Sequence, residues 1–172
     1  ISRRDEVEPA VSIALEQGYD FLLVDATGDF QSLEAELIDF PDLGVLRDTI
    51  ARLRELNREE YVDIVYMGGV RTGTDAAKLI GLSTNVIGHG VAAALAVGGE
   101  FKTGQMTYGA GLSIAERATN LVNLLTANAG EASMMARCTG KTNLHNVEPE
   151  DLRAVTLACA AATGIPMAGH RD

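Results

Sequence analysis

The sequence predicts an α/β fold in which parallel strands alternate with helices. Three observations support it: the order of the segments, the chain length and the composition. Helical and strand-like patterns alternate from residue 5 to residue 97, an order typical of parallel sheets. The chain has 172 residues, of which 47% are hydrophobic, and this suits one compact domain or part of a larger one.

The first four segments of this alternation are a helix, a strand, a loop and a second helix. Residues 5–17 carry apolar side chains at helical spacing, and Gly18 follows as a helix end. Residues 20–25 form a short apolar run that predicts a buried strand. Residues 26–43 show no clean period and predict a long covering loop, after which residues 43–57 predict a helix. Four acids in this loop are expected to form a solvated face rather than a metal site: Glu34, Glu36, Asp39 and Asp42.

Two further strands run directly into glycine sequences. Residues 62–67 predict a strand that ends at Gly68 and Gly69. Residues 85–88 predict a very short strand that ends at the sequence Gly-His-Gly of residues 88–90. Helices are expected after both sequences, at about 74–82 and at 91–97.

The chain changes character after Gly98. Residues 98–111 are rich in glycine and predict a loop. The remainder predicts helices at about 112–129, 131–138 and 149–163. We therefore expect two parts: the β/α units in residues 1–98, and a loop with a helical extension in residues 99–172.

Composition and charge argue against several classes of protein. The formal charge of -10, from 14 basic and 24 acidic residues, disfavours nucleic-acid and anionic-membrane partners. No apolar run reaches the roughly 18 residues that span a bilayer, and no signal peptide is visible, so we expect a cytoplasmic location. Cys138 and Cys159 match no metal-ligand spacing and predict two reduced, mostly buried thiols. The first residue, Ile1, suggests processing or a piece of a longer polypeptide.

The glycine sequences at 68–69 and 88–90 together predict a phosphate site. In a (β/α) barrel, the loops after the last two strands bind phosphate through backbone N–H groups and a helix N-terminus. Glycine is needed where a Cβ would hold the phosphate away, or where φ must be positive. The alternative is that both sequences are ordinary tight turns between strand and helix.

A longer stretch around the double glycine resembles a known family. Residues 68–78, GGVRTGTDAAK, resemble the segment GG-[IL]-[RK]-TG-x-D-[VA]-A-K of the FMN-binding domain of glutamate synthases. Looser similarity covers residues 42–49, 115–120 and 144–152. The resemblance implies the C-terminal part of a TIM-type (β/α)8 barrel that binds FMN. The missing barrel half would lie before Ile1 in the same chain or in another subunit.

Two departures from the family pattern concern the redox site. The family carries a DGGTGA loop after the strand that here ends at Asp25, whereas this chain reads DATGDF over residues 25–30. The family also places three cysteines after the final barrel helix, whereas residues 99–109 contain none. Thiolates are the usual ligands of iron–sulfur clusters, so we expect no cluster and no resident metal on this chain.

Candidate site residues follow from the glycine sequences and the resemblance. Arg71 could neutralise a phosphate or simply be solvated, and His89 could donate to phosphate or flavin or be structural. Asp25 at a strand end and Lys102 in the cysteine-free loop are candidate catalytic groups. Asp25 could equally cap its own loop, and Lys102 could be a mobile surface residue. The full cofactor-binding set is Gly68, Gly69, Val70, Arg71, Gly88, His89 and Gly90.

The function implied by the resemblance is that of an FMN-dependent oxidoreductase module in glutamate biosynthesis. Reduced flavin would deliver a hydride to an imine formed from 2-oxoglutarate, as a 2-oxo acid, and an amine or ammonia. A glutamine amidotransferase or an electron-donor subunit would be a partner. Two other classes remain open: a non-catalytic barrel remnant with a regulatory or structural role, and an aldolase or isomerase whose substrate phosphate occupies the glycine site.

Overall fold

Strands and helices alternate through the first hundred residues of the computed structural model, which describes residues 1–28, 36–37 and 40–169. The helices are α1 (Val7–Gln17), α2 (Leu43–Glu55), α3 (Gly73–Gly81), α4 (Val91–Ala96), α5 (Ile114–Cys138) and α6 (Leu157–Thr163). The strands are β1 (Phe21–Asp25), β2 (Asp63–Met67), β3 (Val86–Ile87), β4 (Gly99–Lys102) and β5 (Gln105–Tyr108). Short 3-10 helices lie at Arg4–Glu6, Leu144–Asn146 and Pro149–Asp151.

The first three strands form a parallel sheet in the order β1, β2, β3. Asp25 lies opposite Met67, and Tyr66 lies opposite Ile87. Because the strands run in the same direction, their carboxyl ends meet at one edge of the sheet, where the following loops gather. The α/β fold with parallel strands is therefore confirmed.

The two faces of this sheet differ in their packing. On one face, Leu22, Ile64 and Tyr66 are buried in a core that α1 and α2 complete. On the other face the alternate residues are open, since Phe21 is 60% exposed and Val86 is 51% exposed. Side chains alternate between the two faces of a strand, so the helix-covered face corresponds to the outside of a barrel wall and the open face to its interior.

Ile1 lies along the free edge of β1. Its nitrogen donates to the carbonyl of Leu23 at 2.7 Å, and its carbonyl accepts from the amide of Asp25 at 2.8 Å. These two bonds flank Val24 in the pattern of a parallel pair. The backbone at Ile1 therefore occupies the place that a neighbouring parallel strand takes in a sheet.

The loop predicted over residues 98–111 is wrong, because an antiparallel hairpin forms there. Strands β4 and β5 pair with Gly99 opposite Tyr108 and Lys102 opposite Gln105. Thr103 and Gly104 join them, both with positive φ, at 48° and 78°. Two consecutive residues with positive φ match the right-handed twist of a hairpin, so the glycine at 104 serves a tight turn rather than an open loop.

The two helices predicted at 112–129 and 131–138 are a single helix, α5, of 25 residues. Ser113 begins it with a capping box to Glu116, and Gly130 lies inside it. The predicted break was wrong because one glycine costs a helix only about 1 kcal/mol, which a long helix outweighs. Neither α5 nor any other helix in the described ranges combines the length and the apolar character needed to cross a membrane.

The helix predicted at 149–163 is also wrong in its first half. After the short 3-10 turn, Ala154 forms a parallel bridge with Met167, and its amide donates to the carbonyl of Pro166 at 2.9 Å. Thr156 then begins α6, because its hydroxyl accepts from the amide of Cys159 at 3.1 Å. The N-cap preference of threonine places the helix start there.

Both cysteines are free thiols, but the prediction that they are mostly buried is wrong. Cys138 is the last residue of α5, and Cys159 lies on α6, which buries none of its residues. Both side chains are exposed. A helical pattern of apolar residues predicts burial only if another element packs against that side of the helix. The sequence did not identify such an element.

Candidate functional site

The candidate site lies at the carboxyl ends of β2 and β3, where two glycine turns follow neighbouring strands. We call residues 68–70 the first glycine turn and residues 88–90 the second glycine turn. Extending the register of Tyr66 opposite Ile87 by two residues brings Gly68 opposite His89. Paired strands lie about 4.8 Å apart, so the two turns are side by side.

Backbone conformation requires glycine in the first turn. Gly68 has φ 112° and Gly69 has φ 70°, values that side chains disfavour. A Cβ on Gly68 would also lie 2.9 Å from the Cγ2 atom of Thr27 and 3.2 Å from the Oδ1 atom of Asp25. The backbone of the first turn therefore lies close to the loop that follows β1.

Three backbone amides around the turns already have acceptors. The amide of Gly88 donates to the carbonyl of Tyr66 at 2.7 Å, so sheet pairing uses that N–H in this structure. The amide of Arg71 donates to the carboxylate of Asp75 at 3.2 Å. The third, that of Val91 at the start of α4, donates to the Oε2 atom of Glu36 at 3.0 Å.

The other amides of the two turns have no acceptor within the described ranges, and two of them, those of Gly68 and Val70, belong to buried residues. In the part of the chain that the structure describes, no hydrogen-bond acceptor is found for five of them. These amides follow adjacent strands, and amide groups clustered in this way bind anions. The five belong to Gly68, Gly69, Val70, His89 and Gly90.

The side chains of the predicted cofactor-binding residues lie in different surroundings. Val70 is 1% exposed as a whole residue and packs in the core, so its side chain is not at the surface of the site. The guanidinium of Arg71 donates to the carbonyl of Leu37 at 3.2 Å and reaches that of Glu36 at 3.5 Å. His89 is half-buried, and its Nδ1 atom has no hydrogen-bond partner among the described residues.

Of the two described acids of the predicted solvated face, Asp42 is exposed and Glu36 is not. Glu36 is half-buried, and its carboxylate lies where a Cβ on Gly90 would be 2.2 Å from Oε2. Asp42 accepts from the amide of Gly44 at 2.9 Å and begins α2. The hydrogen bond from Arg4, at 3.0 Å, lowers the pKa of Asp42. Two other acids of that set, Glu34 and Asp39, lie outside the described residues.

A residue that the sequence did not single out, Glu131 on α5, holds the start of α3. Its carboxylate accepts from the amide of Gly73 at 2.9 Å and from the hydroxyl of Thr74. The hydrogen bond from Thr74 is the main cause that lowers the pKa of Glu131. A Cβ on Gly73 would lie 2.1 Å from the carbonyl oxygen of Asn128, so α5 and the start of α3 are in direct contact. The two partners are 58 positions apart, so no local pattern could have revealed the contact.

The two candidate catalytic residues lie in different places. Asp25 is 4% exposed at the end of β1, and its Oδ1 atom accepts from the amide of Thr27 at 3.0 Å and from its hydroxyl at 2.7 Å. It therefore caps its own loop while lying beside Gly68. Lys102 lies on the exposed β4–β5 hairpin and pairs with Glu100. No group of three potential metal-ligating side chains forms within the described residues.

Solved structures with the same fold include two mutants of flavocytochrome b2. One, with pyruvate bound, matches all of this chain and 37% of its own, at 19% identity and a TM-score of 0.63. The other matches 87% of this chain and 33% of its own, at 20% identity and a TM-score of 0.57. The fold is therefore part of a TIM-type (β/α) barrel with parallel strands.

Sequence comparison gives a more specific likeness. Over an alignment 191 positions long, the chain is 29% identical to a protein of Rhizobium meliloti (strain 1021) named glutamate synthase large subunit-like protein. The alignment takes in 92% of this chain and 43% of that relative, so the chain spans less than half of the relative's length. No protein-family model matches. The resemblance to glutamate synthases predicted from residues 68–78 is confirmed by this relative.

Proposed function

We propose that the chain forms the phosphate-binding end of an FMN site in a glutamate synthase-like flavin oxidoreductase. The observation that carries the proposal is the pair of adjacent glycine turns at the carboxyl ends of β2 and β3, with five amides that have no acceptor among the described residues. Loops at this end of a (β/α) barrel are where phosphate groups bind. The named relative and the fold of the structural neighbours support the same assignment.

The residues present fit a phosphate group. The first turn presents the amides of Gly68, Gly69 and Val70, and the second presents those of His89 and Gly90. Phosphate oxygens accept well from backbone N–H groups clustered in this way. The absence of side chains on three of the five residues lets an anion approach the backbone.

FMN, when bound, supplies hydride transfer, and the resemblance assigns it an imine of 2-oxoglutarate as acceptor. The chain's own contribution is binding and shielding. Leu23 and Val65 lie on the inner face of the sheet and supply a nonpolar surface that excludes water. Asp25 fixes the Thr27 loop beside Gly68 through its two hydrogen bonds.

The complete activity needs more than these residues. In this proposal, residues 1–98 supply β/α units of the barrel, and residues 99–172 supply the hairpin and the helical extension. The other barrel half comes from the same chain or another subunit. A glutamine amidotransferase or an electron donor is the partner of the whole enzyme, which we place in the cytoplasm.

Comparing FMN with riboflavin tests the phosphate site directly, since riboflavin lacks only the phosphate. We expect the full-length protein to bind FMN at least tenfold more tightly than riboflavin. The difference in affinity comes from a few charge-assisted hydrogen bonds to the phosphate. Titration followed by flavin fluorescence gives both affinities. Gly69→Ala should weaken FMN binding, because the positive φ at 69 disfavours a Cβ. Gly130→Ala on exposed α5 is the matched control.

The same measurements can reject the proposal. Equal affinity for FMN and riboflavin, or unchanged FMN affinity in Gly69→Ala, would show that the turns are only tight turns. Colourless protein that added FMN leaves unchanged would favour the second candidate, a phosphate-binding barrel without flavin chemistry.

Iron content tests the redox part of the proposal separately. Residues 99–109 contain no cysteine, and Cys138 and Cys159 lie on separate helices, so we expect this chain to hold no iron–sulfur cluster. Iron and acid-labile sulfide assays on anaerobically prepared protein should give background values. Stoichiometric iron bound by this chain would overturn the expectation.

A further inference from the structure

Three contacts connect the segment before α2 with both glycine turns. The carboxylate of Glu36 accepts from the amide of Val91, beside the second turn. The guanidinium of Arg71 donates to the carbonyl of Leu37. Pro41 lies over the first turn, where a Cβ on Gly69 would be 3.3 Å from its Cγ atom. The described residues of this segment therefore cover the place where the phosphate is proposed to bind.

The group placed at the second turn is itself an anion. A carboxylate on the amide of Val91 uses the same backbone chemistry as a phosphate oxygen. In the described residues no lysine or arginine forms a salt bridge with the Glu36 carboxylate, and Arg71 reaches only the backbone carbonyl of that residue. A phosphate on the neighbouring amides of His89 and Gly90 would meet this carboxylate at short range. Like charges that close repel, most strongly where water is excluded.

The surroundings add further negative charge. Tyr66, 1% exposed beneath the turns, has a raised pKa, first because of burial and then because of four carboxylates around it. A region held at negative potential disfavours the entry of another anion. The four carboxylates are those of Asp25, Asp42, Asp75 and Glu36.

The contact of Glu36 is also one that can break without loss of the fold. It is a single hydrogen bond to the first amide of α4, a helix of only six residues. Asp25 and Glu131, by contrast, each accept two hydrogen bonds. Glu36 is therefore the least firmly held carboxylate near the turns.

We propose that Glu36 is an internal competitor of the FMN phosphate: its carboxylate and Leu37 close the glycine turns, and binding requires them to leave. This inference rests on the proposed function and adds a regulatory step to the same site. When Glu36 leaves Val91, the guanidinium of Arg71 loses its carbonyl partners and becomes available to the phosphate. In the closed state the Glu36 carboxylate is on the Val91 amide, and in the open state the phosphate is on the neighbouring amides of His89 and Gly90.

The variant Glu36→Gln tests this competition, because the amide oxygen of glutamine can still accept from Val91 while the charge is removed. In the full-length protein we expect Glu36→Gln to bind FMN roughly tenfold more tightly than the wild type, from the removed repulsion. Riboflavin affinity should not change, since riboflavin has no phosphate. Glu16→Gln, an exposed site on α1, is the control with the same charge change.

The outcomes separate the inference from the proposed function. If FMN is preferred over riboflavin but Glu36→Gln and Glu36→Ala both bind FMN like the wild type, the competition is refuted and the FMN site stands. If FMN is not preferred over riboflavin in any variant, both fall. An equal gain in Glu16→Gln would indicate a general charge effect and would also refute competition. Thermal melting of each variant confirms that it is folded.

Discussion

The two glycine turns use the same residue type for different physical reasons. In the first turn, Gly68 and Gly69 have positive φ, so the backbone itself requires glycine. In the second turn, Gly90 has φ -93°, outside the left-handed region, and the space that a Cβ would take there is occupied by a neighbouring side chain. That neighbour is the carboxylate of Glu36. A glycine motif therefore does not say whether it serves a conformation or a close approach.

The turns also differ in how firmly they are held. The first is followed by α3, whose first residues bind Glu131 of α5 and Asp75 of α3 itself. The second is followed by α4, whose first amide binds Glu36. We infer that the first turn is a fixed part of the site and the second is the part that adjusts. Substitutions that distinguish conformation from proximity can test this difference.

The largest effect is expected for Gly68→Ala. Its φ of 112° is strained for alanine, and the Cβ would lie 2.9 Å from the side chain of Thr27. We expect a loss of about 2–3 kcal/mol in the free energy of unfolding, the range for strained backbone combined with a close contact. Urea unfolding of the full-length protein measures it. Gly130→Ala, a change in the interior of α5 with open space for the Cβ, should cost nothing. A Gly68→Ala variant as stable as the wild type would mean that the first turn is not conformationally fixed.

A pH effect of intermediate size is expected from Glu131. Hydrogen bonds from Thr74 and Gly73 lower its pKa below the ordinary value of 4.5. A lowered folded-state pKa means that the carboxylate stabilises the fold above the unfolded pKa, and that this stability is lost as the pH falls through the folded pKa. The melting temperature should therefore fall less steeply below pH 4.5 in Glu131→Gln than in the wild type.

Melting curves at a series of pH values check this expectation. Glu16→Gln, which removes an exposed carboxylate from α1, supplies the comparison and should keep the wild-type slope. Parallel slopes in Glu131→Gln and the wild type would show that Glu131 does not hold the start of α3.

Local signals in the sequence were enough to predict the strands of the parallel sheet and the first glycine turn. Residues 62–67 form an apolar run bounded by glycine, and β2 spans Asp63–Met67. Thr72 and Asp75 form a capping box, so the start of α3 near Thr74 also followed from local preference. These features depend on neighbours within four residues, which a single sequence contains.

The contacts that decide how the site works were not predictable in the same way. Glu36 is 55 positions from Val91, and Glu131 is 57 positions from Thr74. Acidic residues on loops and long helices are usually solvated, so composition favoured the wrong interpretation of Glu36. The hairpin of β4 and β5 was missed for another reason: the turn at Thr103 and Gly104 is a hairpin signal, but the abundance of glycine around it suggested a loop.

The smallest effect on stability, and the sharpest test of the comparison, is expected for Gly90→Ala. Its φ of -93° lies outside the left-handed region, and the nearest atom to the new Cβ would be the Oε2 atom of Glu36 at 2.2 Å. That atom is the end of a flexible side chain, so the carboxylate should move away at a cost of about 0.5 kcal/mol or less. We therefore expect nearly wild-type unfolding together with a faster exchange of the Val91 amide, measured by hydrogen exchange with NMR. A loss as large as that of Gly68→Ala, or an unchanged exchange rate at Val91, would show that the second turn is as fixed as the first.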